Sequence, residues 1–132
     1  MSVNTVYHNT VRVYVEDVDY MGIVYHANYL CYFERSRTEI LRTHNVHLRD
    51  LVKKDILFAI SALEVNYKFP ARLDDLLTVS TEITNLKACT FMFQQRMINQ
   101  HDQLICTAKI NVVCVNSNLK PMRLPNAIKE LG

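Results

Sequence analysis

The chain has no tryptophan and only two glycines, Gly22 and Gly132, among 132 residues. Its three prolines are Pro70, Pro121 and Pro125. That scarcity excludes collagen-like, low-complexity and linker-rich architectures. It also leaves Gly22 as the one internal position with free access to positive φ or close backbone approach. No run of about 18 apolar residues occurs, so no transmembrane segment is expected. The opening MSVNTVYHN has neither a basic start nor an apolar stretch, so no signal peptide is expected. The formal charge, 15 − 13 = +2, comes with no basic stripe, so no nucleic-acid partner is expected. The four cysteines, Cys31, Cys89, Cys106 and Cys114, form no C-x-x-C pair, so no metal site is expected. They read as buried free thiols, which suit a reducing, cytoplasmic setting.

What is present is ordinary for a single globular domain spanning 1–132: 49% hydrophobic and 21% charged residues. Val6 to Glu16 alternates, with Val11, Val13 and Val15 on one face, and predicts a strand. A helix is expected from about His26 to Thr43. Tyr29, Leu30, Phe33, Ile40 and Leu41 mark its apolar side, and Arg35 and Glu39 are spaced for an i,i+4 pair. Residues 44–55 are polar, with one short helical turn. Four further strands are expected over Ile56 to Phe69, Leu76 to Leu86, Thr90 to Asn99 and Leu104 to Val115. The last is the clearest, with Leu104, Cys106, Ala108, Ile110, Val112 and Cys114 on one face. Gln100 to Gln103 predicts a hairpin turn, and a short helix is expected after Pro125. One helix followed by a meander is an α+β arrangement, a five-stranded antiparallel sheet covered by one long helix.

The chain is organised around Val15 to Arg42, VEDVDYMGIVYHANYLCYFERSRTEILR. Two acids, Asp17 and Asp19, precede Gly22, and the helix begins soon after. A helix start presents unpaired N–H groups and partial positive charge. An acid beside such donors suits a reaction that develops an oxyanion. The same residues also read as a plain turn, with Gly22 merely closing it.

The run Asp17-x-Asp19-x-x-Gly22-x-Val24-x-His26-x-x-Tyr29, followed by Glu34 and Arg37, resembles the hot-dog-fold acyl-CoA thioesterases of the 4-hydroxybenzoyl-CoA thioesterase group. RVYVEDVDYMGIVYHANYL, FERSRTEILR and ARLDDLL are closest to its bacterial YbgC branch. The resemblance covers nearly the whole chain. It implies a sheet wrapped around a central helix, with subunits joined as a dimer or a dimer of dimers and the active site between them. It implies no cofactor. Asp19 becomes the catalytic carboxylate, and His26 the residue whose backbone N–H meets the thioester carbonyl. Gly22, Tyr14 and Tyr29 are expected around the substrate. Tyr20 and Met21 depart from the small residues common before this glycine, which bears on the shape of the acyl pocket.

Asp19 is expected either to attack the thioester carbonyl or to take a proton from water. Asp17 reads as a turn or capping residue, and Glu34 as an exposed charge paired with Arg37. Lys68, Arg72, Lys87, Lys109, Lys120 and Arg123 are available for coenzyme A phosphates. The carrier is open between coenzyme A and acyl-carrier protein. The alternative is a non-catalytic acyl or acyl-carrier-protein binding module of the same fold. A carrier-bound hydroxyacyl dehydratase would need a His-Phe-Pro run, which is missing here.

Overall fold

A computed structural model describes residues 5–132. The expected first strand, β1, covers only Val6–Arg12. The chain leaves the sheet at Val13, whose N–H goes to the Asp75 carbonyl at 3.0 Å. A 3-10 turn over Val15–Asp17 follows, held by the Asp17 carboxylate on the Tyr14 N–H. Val15 therefore does not continue the inner face; it is 72% exposed.

Helix α1 spans Asn28–Thr43, two residues shorter at its start than expected. Its inner stripe is Tyr29, Tyr32, Phe33, Ser36, Arg37, Ile40 and Leu41, at the spacing of a buried helix face. Cys31 lies on the outer side and is exposed, against the expectation for it. Helix α2, Leu48–Lys53, is the short helical turn expected in the polar stretch. Strands β2 (Leu57–Tyr67), β3 (Leu76–Thr84), β4 (Thr90–Ile98) and β5 (Leu104–Val115) follow, then helix α3 at Asn126–Lys129 with Pro125 capping it.

The five strands form one antiparallel sheet ordered β1-β3-β4-β5-β2. Alternation sends Leu77, Val79, Thr81 and Ile83 of β3 inward and leaves Ser80 and Glu82 on the other face. The expected inner face of β5 is buried from Cys106 to Cys114, with Leu104 half-buried. Burial pushes the Cys106 thiol up to about 11. β2 is less buried than its apolar sequence predicts. It is a sheet edge with a register shift between Ile60 and Ala62, and Ile60, Leu63 and Tyr67 are about half exposed.

Two expected ion pairs are absent among the described residues. Glu39 meets Arg42 at 3.7 Å instead of Arg35. Arg37 is buried rather than paired at the surface with Glu34. Its Nη1 donates to Gln95 Oε1 at 3.0 Å, and its guanidinium lies 5.6 Å from the Phe93 ring centre. The Gln95 amide in turn donates to the Phe33 carbonyl and to Thr81 Oγ1. A buried cation needs such partners, because burying it bare is costly.

With so few glycines, the turns take positive φ elsewhere. Asn45, Asp55, Asp74, Asn85 and Asp102 do so, the residue types that best tolerate it. Leu119, at φ 60°, is the outlier.

Candidate active site

Asp19 opens a tight hairpin between Val18 and Val24, which pair as an isolated bridge. The Asp19 N–H donates to the Ile23 carbonyl at 2.8 Å, and the Gly22 N–H donates to the Asp19 carbonyl at 3.0 Å. The Met21 N–H donates to Asp19 Oδ1 at 2.8 Å. Gly22 has φ 78°, and nothing lies within 4 Å of where its Cβ would be. So it serves the positive φ rather than a close approach within the chain. Tyr20 and Met21 form the tip, and Tyr20 is 97% exposed. The second carboxylate oxygen of Asp19, Oδ2, receives no hydrogen bond from the described residues.

The hairpin is tied to the β2–β3 connection. The Val24 N–H donates to the Ala71 carbonyl at 2.8 Å, and Ile23 bridges to Arg72. The Ala71 N–H donates to the hydroxyl of buried Tyr29 at 3.0 Å, bringing the first turn of α1 to the same point. Burial pushes the Tyr29 phenol up, the Ala71 N–H draws it partly back, and the Asp19 charge adds a smaller push. Asp19 therefore lies within electrostatic reach of the helix start.

Asp17 is a buried anchor. Its carboxylate accepts the Tyr14 N–H at 2.9 Å and Asn28 Nδ2 at 3.3 Å, and its carbonyl accepts the Tyr25 N–H. It caps the 3-10 turn through the Tyr14 N–H, the role its position suggested, and holds the side chain of the first residue of α1. Burial, with the Asp17 carboxylate beside it, pushes the Tyr32 phenol well above its ordinary range. The Tyr32 hydroxyl nonetheless lacks a partner at strict hydrogen-bond geometry.

The Asn28 N–H donates to the Tyr25 carbonyl at 2.8 Å, and the Leu30 N–H to the Ala27 carbonyl at 3.2 Å. The N–H groups of His26 and Ala27 have no acceptor among the described residues. These are the orphan donors of a helix start, one of them the expected His26 amide. The exposed His26 ring stacks obliquely on Tyr25, 4.5 Å between centres.

Beside this start is an open depression of about 330 Å³, lined by Ile23, Val24, His26, Tyr29, Tyr67 and Lys68, with Phe69 and Pro70 at its rim. The structure thus gathers Asp19, Gly22, His26 and Tyr29 into one neighbourhood. Tyr14 does not line the depression; its ring is exposed and its N–H is spent on Asp17. Of the basic residues expected near coenzyme A, Lys68 lines the depression and Arg72 flanks the hairpin. Lys109 belongs to a larger hollow of about 490 Å³ lined by His8, Ser80, Glu82, Gln94 and Arg96, which holds none of the motif residues. The larger hollow has carboxylates of its own, Glu64 and Glu82, but only the smaller one is lined by His26, at the helix start with the free amides.

Sequence reasoning missed Tyr67. Its hydroxyl donates to the His26 carbonyl at 2.8 Å, and its ring meets Tyr29 edge-on. Its only sequence signal was an aromatic at the polar end of a strand. Its partner is 41 residues away.

The profile of the thioesterase-like superfamily matches residues 13–131. A protein of Escherichia coli O157:H7 named acyl-CoA thioester hydrolase YbgC is 42% identical over 125 residues, covering 94% of this chain and 93% of that protein. The acyl-CoA thioesterase YbgC of Haemophilus influenzae is also 42% identical, over 90% of this chain and 88% of that one. Among solved structures, a probable thioesterase from Bartonella henselae is 36% identical with TM-score 0.85, covering 92% of this chain and 100% of that one. A 1,4-dihydroxy-2-naphthoyl-CoA thioesterase from Synechocystis superposes with TM-score 0.91 at 22% identity over 96% of this chain and 95% of that one, a likeness of fold alone. Profile, relatives and strand order agree: the chain belongs to the thioesterase-like superfamily, has the hot-dog fold, and is an acyl-CoA thioesterase of the YbgC kind.

Proposed function

We propose that Asp19 is the catalytic carboxylate and that the start of α1, at the His26 N–H, is the oxyanion site. The observation that carries this is a carboxylate with a free Oδ2 on a hairpin tied through Ala71 and Tyr29 to a helix start whose first amides are unspent. The thioester carbonyl enters the depression at Tyr29 and Gly22, with its oxygen toward the His26 amide. Oδ2 then attacks the carbonyl carbon or takes a proton from water that attacks it, and the carbonyl electrons move onto oxygen. Collapse of that intermediate breaks the C–S bond and releases the thiolate; after direct attack it leaves a mixed anhydride, which water opens to the free acid and Asp19. Tyr14 stands at the outer edge of the substrate path, and Lys68 and Arg72 meet the phosphates of the carrier. The carrier is coenzyme A, with acyl-carrier protein as the second substrate class to try.

The assembly in this reading is a dimer or dimer of dimers in the reducing cytoplasm. The long open edge of β2, with Ile60 and Leu63 exposed, supports it. A second copy there would close the depression from the Tyr67 side.

The test is thiol release from short, long and aromatic acyl-CoAs, wild type beside Asp19→Asn. A drop of about 10²-fold or more in the variant is expected. Equal activity in the two sinks the assignment and favours a binding role for the turn. His26→Ala keeps its backbone donor, so it should lose far less than the roughly 10²–10³-fold typical of a lost oxyanion donor. Single turnover in ¹⁸O-labelled water detects the nucleophilic role of Asp19 where water opens the mixed anhydride at the Asp19 carboxyl carbon. Label appearing in the enzyme's Asp19 carboxylate means nucleophilic attack.

A further inference from the structure

An α-helix hands the carbonyl of each early residue to the N–H four residues later. At the start of α1 the His26 carbonyl is not used this way. The Leu30 N–H goes to the Ala27 carbonyl instead, and the His26 carbonyl receives the Tyr67 hydroxyl at 2.8 Å. A trans peptide is planar, with its C=O and N–H pointing in opposite directions. Fixing the His26 carbonyl therefore fixes the Ala27 N–H and restricts the rotation that aims the His26 N–H. Both amides are without acceptors among the described residues.

Tyr67 is itself well held. It sits at the last position of β2, and its ring meets Tyr29 at 5.3 Å with a 72° interplanar angle. Tyr29 in turn accepts the Ala71 N–H, and the Ala71 carbonyl takes the Val24 N–H of the hairpin that carries Asp19. One chain of contacts thus runs from the free amides through Tyr67, Tyr29 and Ala71 to the carboxylate. Burial pushes the Tyr67 phenol up, which keeps its proton available for donation.

We propose that Tyr67 is a positioning residue for hydrolysis: its hydroxyl clamps the His26 peptide and aims the amides at the start of α1 at the developing oxyanion. The clamp rests on the reading of that helix start as the oxyanion site. Its proton is engaged by the His26 carbonyl, so it acts through the backbone alone.

Tyr67→Phe removes the hydroxyl and keeps the ring on Tyr29. Misaimed catalytic groups typically cost up to about 10²-fold in rate. The expected result is a kcat lower by roughly 10- to 10²-fold, with KM, melting temperature and the shape of the pH profile retained. Hydrogen exchange at the Asn28 amide, which belongs to the same turn, should quicken, while exchange at Phe93 and Ile110 in the core stays as in wild type. Tyr67→Leu, which also loses the ring contact, should add a loss of stability. The clamp is overturned if Tyr67→Phe turns over like wild type with Asn28 exchange unchanged. It is overturned equally if KM rises while kcat holds, since Tyr67 would then be touching substrate. Faster Asn28 exchange with full turnover means the clamp exists but the helix start is not the oxyanion site. In that case the reading beneath the proposal fails too.

Discussion

The turn that begins at Asp19 and the turn that begins at Asn116 have the same backbone. In each, the side-chain Oδ1 accepts the N–H two residues on, the carbonyl accepts the N–H three residues on, and the backbone N–H returns to a carbonyl four residues on. In each, the fourth residue has positive φ, Gly22 in one and Leu119 in the other. Asn99 with Asp102 repeats the pattern a third time. The differences are in the side chains. Asn99 and Asn116 use an amide, whose Oδ1 also takes the N–H four residues on. Asp19 uses a carboxylate and leaves Oδ2 free. The two Asn turns show that this geometry needs one acceptor oxygen and no charge. A carboxylate at 19 is thus surplus to the turn, and that surplus is the strongest structural argument for chemistry there. Glycine at 22 takes this conformation without the strain that Leu119 bears at the same position of its turn.

The sharpest break of this comparison is Asp19→Asn, which converts the first turn into the chemistry of the other two. Hydrolysis should fall by about 10²-fold or more. The Oδ1 bond to Met21 survives, so the folding stability should stay within the small range of neutral surface changes, about ±0.5 kcal/mol. A large loss of stability alongside the lost activity would mean the carboxylate was holding the turn after all. Next in size is Gly22→Val. Open space surrounds the site, so the cost is backbone strain, about 1–2 kcal/mol. Gly22→Asn should cost clearly less, since Asn45 and Asn85 show the side chain accepting positive φ here. Chemical denaturation of the three proteins reads both numbers, and equal costs would refute the strain argument.

Much of this was legible beforehand. The period-2 runs placed β3, β4 and β5, because that signal is local; Asp19, Gly22 and His26 stood out through the family resemblance, since spacing alone left a plain turn open. What failed was set by partners distant in sequence. β1 ends at Arg12: Val13 makes its last backbone bonds to Asp75 and Asp74, and the turn held by Asp17 then takes the chain away. Arg37 reads as a surface charge on its helix, yet Gln95 of β4 draws it inside. β2 reads as buried and is an edge. The role of Tyr67 was not legible because its partner is a backbone carbonyl, which has no sequence signature.

The smaller tests act on the turn without chemistry. Leu119 is 73% exposed, so truncating it forfeits little burial. Its left-handed conformation costs about 1–2 kcal/mol for an L-residue, against about 0.5–1 kcal/mol of extra chain entropy for glycine. Leu119→Gly should therefore stabilise the protein by about 0.5 kcal/mol, seen as a higher midpoint in urea with turnover unchanged. A lower midpoint would mean Leu119 is covered by something, a second copy included. Smallest of all is Asn116→Asp, which builds the carboxylate version of the turn away from the helix start. Oδ1 keeps its acceptor role for Asn118 and Lys120, so stability should move by under about 0.5 kcal/mol. The double variant Asp19→Asn with Asn116→Asp should be as inactive as Asp19→Asn alone. On the proposed mechanism a carboxylate catalyses only beside the free amides, and the 116 turn follows the end of β5 that pairs with Leu57, opposite the end that pairs with Tyr67.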